Sequence, residues 1–161
     1  MATRAVLLPE AAHYPATNFP ALLLSNRRPV LAFDASTSET AYWTFVAPQG
    51  ITGTLTAVIS YAMASATTGG VAFDVALEAI SSGDALDTDA TTSFDSVNTG
   101  TDAAVPGTAG YMEQISITLT NADSVAAADL VRVSVARAVA NGADTATGDC
   151  YVLSVEIRDA A

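Results

Sequence analysis

The chain contains no lysine. Its positive charge comes from six arginines set against seventeen acids, a formal net charge of −11 over 161 residues. Nucleic acid is a polyanion bound largely through Lys and Arg contacts to phosphate, so this balance argues against DNA or RNA as a partner. The same repulsion disfavours anionic membrane surfaces. A single cysteine, Cys150, rules out an intramolecular disulfide, so stability must come from burial or assembly. The one histidine, His13, has no second histidine or cysteine cluster to make a metal site with, and no nucleophile-elbow motif accompanies it, so it reads as a poor metal or catalytic candidate. No run approaches the roughly 18 apolar residues that span a bilayer. The apolar run Ala5-Val6-Leu7-Leu8 stops at Pro9, too short for a signal-peptide core, so no export signal is expected.

What the chain has in quantity is short alternating segments. Half of it is apolar, much of that Ala and Val, while only 14% is charged. That suits β-strands whose outward positions carry Thr and Ser. In 54–64, Leu55, Ala57, Ile59, Tyr61 and Met63 share one face, opposite Thr54, Thr56 and Ser60. In 71–80, Val71, Phe73, Val75 and Leu77 face in, with Asp74 and Glu78 facing out. These two segments read as an antiparallel pair. Further strands are expected at 30–33, 41–47, 91–97, 114–120, 130–139 and 149–159, the last with Tyr151, Leu153, Val155 and Ile157 inward. At most one helical turn is expected, at 124–129, and 98–110 reads as turn-rich. About eight half-buried strands joined by Gly/Pro/Asn turns predict an all-β fold, a jelly-roll-like antiparallel β-sandwich, with an immunoglobulin-like sandwich as the alternative.

Residues 1–28 differ from the remainder, 29–161. Pro9, Pro15, Pro20 and Pro29 interrupt the segment, yet it is greasy. Two readings stand: an extended N-terminal arm lying on neighbouring subunits, or a segment packed on its own domain. Half of all the arginines, Arg4, Arg27 and Arg28, fall in these 28 residues. As an arm, it would dock through Arg4, Leu7, Leu8, Phe19, Leu22, Leu23, Arg27 and Arg28 on an acidic neighbour.

Chemistry-bearing candidates are few. The stretch GDALDTDATTSFD at 83–95 has an Asp-x-Asp pattern but neither the glycine nor the distal glutamate of an EF-hand loop. The competing reading has Asp84, Asp87 and Asp89 bonding local backbone N–H groups. Cys150, at a strand start without a basic partner, reads as a small packed residue. Tyr42, Trp43 and Phe45 read as core or sheet-face residues, though an exposed Trp43 would suit sugar stacking. No catalytic residue, metal ligand or cofactor site is expected, and the chain is not read as an enzyme.

Three segments also carry a family resemblance: YWTFVAPQGITGTLTAVISYAMASATTGGVAFDVAL, GDALDTDATTSFDS, and LVRVSVARAVANGADTATGDCYVLSVEIR. Together they resemble small jelly-roll capsid decoration proteins of tailed bacteriophages. The resemblance is one of pattern and covers most of the chain past residue 28. It implies a homotrimer on the outer surface of a virion, with the major capsid protein as partner and a structural role in stabilising the shell. The alternative is a β-sandwich binding module for carbohydrate or a host receptor, displayed on a virion or tail.

Overall fold

A computed structural model describes residues 1–159. It contains ten strands: β1 (Ala2–Leu7), β2 (Ala21–Ser25), β3 (Arg28–Phe33), β4 (Thr40–Val46), β5 (Leu55–Met63), β6 (Val71–Ile80), β7 (Asn98–Asp102), β8 (Met112–Leu119), β9 (Leu130–Arg137) and β10 (Cys150–Asp159). All pairings are antiparallel. One sheet has the order β2-β3-β10-β5-β8, with β1 also on β10; the other has the order β4-β9-β6-β7. The inner faces close over one core. Leu55, Ala57, Ile59, Tyr61 and Met63 meet Val71, Phe73, Val75 and Leu77 across it, and Val131, Val133 and Val135 complete the second layer. The fold is a jelly-roll β-sandwich, as the alternation predicts.

Several expectations need correction. β5 and β6 do not pair. β5 lies between β10 and β8, while β6 lies between β9 and β7 in the opposite sheet. Alternation fixes which face is buried, not which strand is the neighbour. In β10, Cys150, Val152, Val155 and Ile157 are buried, whereas Tyr151 and Leu153 are half-buried. The register on β5 shifts between Val152 and Ser154, and this bulge resets the alternation by one residue. Residues 91–97 form part of a loop, and the neighbouring strand is β7, inside the stretch read as turn. Its Gly100 permits a close approach: a Cβ there would lie 2.4 Å from Ile117 Cγ1 on β8. Residues 124–129, where at most one helical turn is expected, hold turns, with Asp123, Ser124 and Ala128 at positive φ.

Residues 1–28 are built into the sandwich, as the packed alternative describes. β1 runs along β10 from Ala2↔Asp159 to Leu7↔Val155, and β2 forms a hairpin with β3. The expected boundary at 28/29 therefore falls inside β3. The prolines explain the difference. Pro9, Pro15 and Pro20 lie between the pairing segments and break none of them. Leu7 is buried in the core, and Trp43, only 1% exposed, donates its indole N–H to the Leu8 carbonyl at 2.8 Å.

Candidate functional site

The outer face of the four-stranded sheet carries polar and charged residues in register. Thr44 on β4 lies beside Arg132 on β9, and Arg132 lies beside Glu78 on β6. Glu78 faces outward, as its sequence position predicts, yet it is fully buried. Two contacts bury it. Arg132 Nη1 donates to its Oε2 at 2.7 Å, and the backbone N–H of Ser93 donates to its Oε1, which the Ser93 hydroxyl also approaches at 3.2 Å. Asp95 N–H donates to the Leu77 carbonyl at 2.9 Å, extending the β6 edge. Glu78 thus pins the end of the long β6–β7 loop, residues 81–97, against the sheet.

Pinning Ser93 and Asp95 sets Phe94 between them. Its ring stacks on Tyr42 of β4 with centroids 5.7 Å apart and planes 29° from parallel. The Arg132 guanidinium carbon sits 5.0 Å from the Phe94 centroid and 5.7 Å from that of Tyr42, within cation–π range. Only Nη1 of Arg132 bonds to protein; among the described residues its Nε and Nη2 have no hydrogen-bond acceptor. The chain entering the domain builds the opposite wall. His13 and Tyr42 exchange backbone bonds of 2.7 and 2.9 Å, so residues 13–15 lie along the free edge of β4.

Between these walls is an open cleft of about 570 Å³, lined by His13, Tyr14, Pro15, Tyr42, Thr44, Thr88, Thr92, Phe94 and Arg132. A second cleft of about 500 Å³ adjoins it, sharing Thr44, Thr88, Thr92 and Arg132 and reaching Asp89. In a chain with seventeen acids, the first cleft is lined by none. It offers two aromatic rings, threonine hydroxyls, an imidazole, and a guanidinium whose charge Glu78 already offsets. That combination can bind a ligand with both apolar C–H faces and many hydroxyls.

The residues singled out from sequence are distributed differently. Of the candidate docking set, Arg4 is internal: its Nε donates to Asp159 Oδ2 at 2.7 Å and its Nη2 to the Gly50 carbonyl at 2.8 Å. Leu7 is in the core, while Leu8, Phe19, Leu22 and Leu23 are exposed. Phe19 packs against Tyr14 at 5.5 Å, and Arg27 and Arg28 lie at the β2–β3 turn. The structure therefore does not gather this set into one surface.

Asp84 accepts the Ser81 N–H at 2.7 Å and Asp87 the Asp89 N–H at 3.0 Å, the local bonding expected of an aspartate-rich turn. Among the described residues no group of three or more His, Cys, Asp or Glu side chains could hold a metal ion. Cys150 is fully buried, and burial pushes its thiol up to about 12, which leaves it protonated and inert. Trp43 is a core residue and no sugar platform. Phe94, Arg132, Thr88 and Thr92 escaped the sequence reading as site residues. The available signal was the outward pair Glu78 and Arg132 on two alternating strands, together with one aromatic in an otherwise polar loop.

No protein-family model matches the chain, and no curated protein sequence matches it. Solved structures share its fold. The CBM35 from Cellvibrio japonicus Abf62 superposes with a TM-score of 0.51 at 10% identity, covering 99% of this chain and 95% of that one. The carbohydrate-binding module CBM6cm-2 from Cellvibrio mixtus lichenase 5A, in complex with cellotriose, superposes at 0.49 with 10% identity, covering 99% and 100%. The CBM22-1-GH10 modules of Clostridium thermocellum xylanase 10B, complexed with xylohexaose, superpose at 0.49 with 13% identity, over 99% of this chain and 28% of that one. At such identities the likeness concerns the fold.

Proposed function

We propose that this chain is a binding module for carbohydrate, and that the ligand lies in the cleft between the β6–β7 loop and residues 13–15. The observation that carries the reading is the cluster of Tyr42, Phe94 and Arg132: two stacked rings crossed by a guanidinium with N–H groups left over. A sugar ring presents C–H groups to an aromatic face and hydroxyls to Arg and Thr. The cleft's volume falls within the range typical of small-ligand sites. The sandwich shared with the CBM35 gives the reading a compatible scaffold, while the cleft itself gives the chemistry.

A glycan array tests this. Binding should be retained by Leu24→Ser, which alters an exposed side chain on β2, and lost in Tyr42→Ala and Arg132→Gln. An array negative for neutral and acidic glycans alike, or binding unchanged in both cleft variants, refutes it. The sequence resemblance to phage surface proteins adds a setting to the proposal, display on a virion or tail. Co-purification with particles is the measurement for that setting.

A further inference from the structure

The second strand of the chain is an unguarded edge. β2 ends the six-stranded sheet and pairs only with β3, in an unbroken register from Ala21↔Ala32 to Ser25↔Arg28. Native sheets blunt such edges with charge, proline or a bulge. β2 reads ALLLS and has none of these, and Leu22, Leu23 and Leu24 are 49%, 42% and 74% exposed. The turn fixes which backbone groups are free. Asn26 and Arg27 both have positive φ, the mark of a two-residue type I′ hairpin turn. Ser25 and Arg28 then exchange backbone bonds, as do Leu23 with Val30 and Ala21 with Ala32. The N–H and C=O groups of Leu22 and Leu24 face the open edge. Pro29, opposite Leu24, occupies a position where its missing N–H costs β2 no bond.

Charge indicates what can approach. Residues 11–33 contain no acid, in a chain that has seventeen. Among the described residues Arg4, Arg132, Arg137 and Arg158 form ion pairs, whereas Arg27 and Arg28 form none. Two copies, each at −11, repel over most orientations. The edge of β2 is a place where they can meet without opposing acids.

We infer that β2 pairs with β2 of a second copy, antiparallel about a two-fold axis through Leu23, joining the six-stranded sheets of the two molecules. The match is one of register. Pairing about Leu23 sets Leu22 opposite Leu24 of the second copy and Leu24 opposite its Leu22, the residues whose backbone groups are free. Four hydrogen bonds form, and four leucines cluster on one face of the joined sheet. The two-fold places the two Arg27–Arg28 turns at opposite ends of the paired strands, so they do not oppose each other. The contact is self-complementary and closes with two copies.

The test is sedimentation equilibrium of the full chain, with circular dichroism on every variant. The wild type should show a concentration-dependent monomer–dimer equilibrium. Leu24→Lys places a charge on the edge and should weaken it by about tenfold or more, without changing the fold, since Leu24 is largely solvent-exposed. Cysteine substitution reads the register directly, because native Cys150 is buried. Under a mild oxidant Leu23→Cys should cross-link to itself, its partner being the same residue in a non-hydrogen-bonded pair. Leu24→Cys should not, because its neighbour is Leu22. A monomer at all concentrations, a mass of three copies, or a dimer indifferent to Leu24→Lys would overturn the inference. So would a partner of other chemistry, such as a vesicle or an unrelated protein, that binds β2 while the chain alone stays monomeric.

Discussion

Replacing Glu78 with alanine should loosen the cleft before it unfolds the domain. Glu78 is fully buried, and its carboxylate holds both Arg132 and Ser93. Removing one partner of a buried ion pair costs about 3–5 kcal/mol because the remaining charge is stranded. Arg132 is 29% exposed, so water partly takes over, which lowers the expected loss to about 2–3 kcal/mol. Ser93 is an exposed residue, so its freed N–H can turn to solvent and adds little. Urea denaturation measures the sum. The distinctive part is local: amide exchange at Ser93, Phe94 and Asp95 should accelerate more than exchange at the β5 and β6 core. Glu78→Gln keeps an acceptor for Ser93 and should lose stability while retaining most of the loop protection. A loss below about 1 kcal/mol in Glu78→Ala, with unchanged exchange at Ser93, would refute the pinning role.

Other perturbations test the scaffold. Arg137, fully buried, bonds Asp144 through Nε and Nη2 and also the carbonyls of Ala146 and Gly148, so Asp144→Ala should cost about 3–5 kcal/mol in urea denaturation. Gly100→Ala forces a methyl against Ile117 and should cost about 1–3 kcal/mol, with Ile117→Val recovering part of it. The hydrogen bond from Arg4 holds the Asp159 carboxyl below its ordinary range. A depressed folded-state value gives stability that is present above the unfolded value, near pH 4, and is lost as pH falls through the folded one. Arg4→Ala should flatten that acid limb in thermal melts as the pH falls below about 4, and an unchanged limb would count against the Arg4–Asp159 tie.

The faces of strands were legible in the sequence, but their neighbours were not. The inward set Leu55 to Met63 and the inward set Val71 to Leu77 stand as alternation predicts, yet they sit in opposite sheets. Pairing is decided by long-range packing, which a local period does not encode. β10 departs because its bulge at Leu153 adds one residue to the count. β7 was hidden because NTGTD has turn chemistry, and its strand character comes from β6 beside it and Ile117 behind Gly100. The N-terminal strands were masked by prolines that lie between pairing segments. The cleft was the least legible part. Phe94 reaches Arg132 only because Glu78 ties down its neighbour, and His13 arrives through backbone pairing that carries no side-chain signature.

Carbohydrate binding in the Tyr42–Phe94–Arg132 cleft can be followed through backbone and side-chain NMR resonances of the full chain during titration with oligosaccharides. Saturable shifts are expected at Tyr42, Thr44, Thr88, Phe94 and the Arg132 Nε–H, with β2 and β8 unmoved. Shifts confined to another face, or none with any glycan at millimolar concentration, would contradict it.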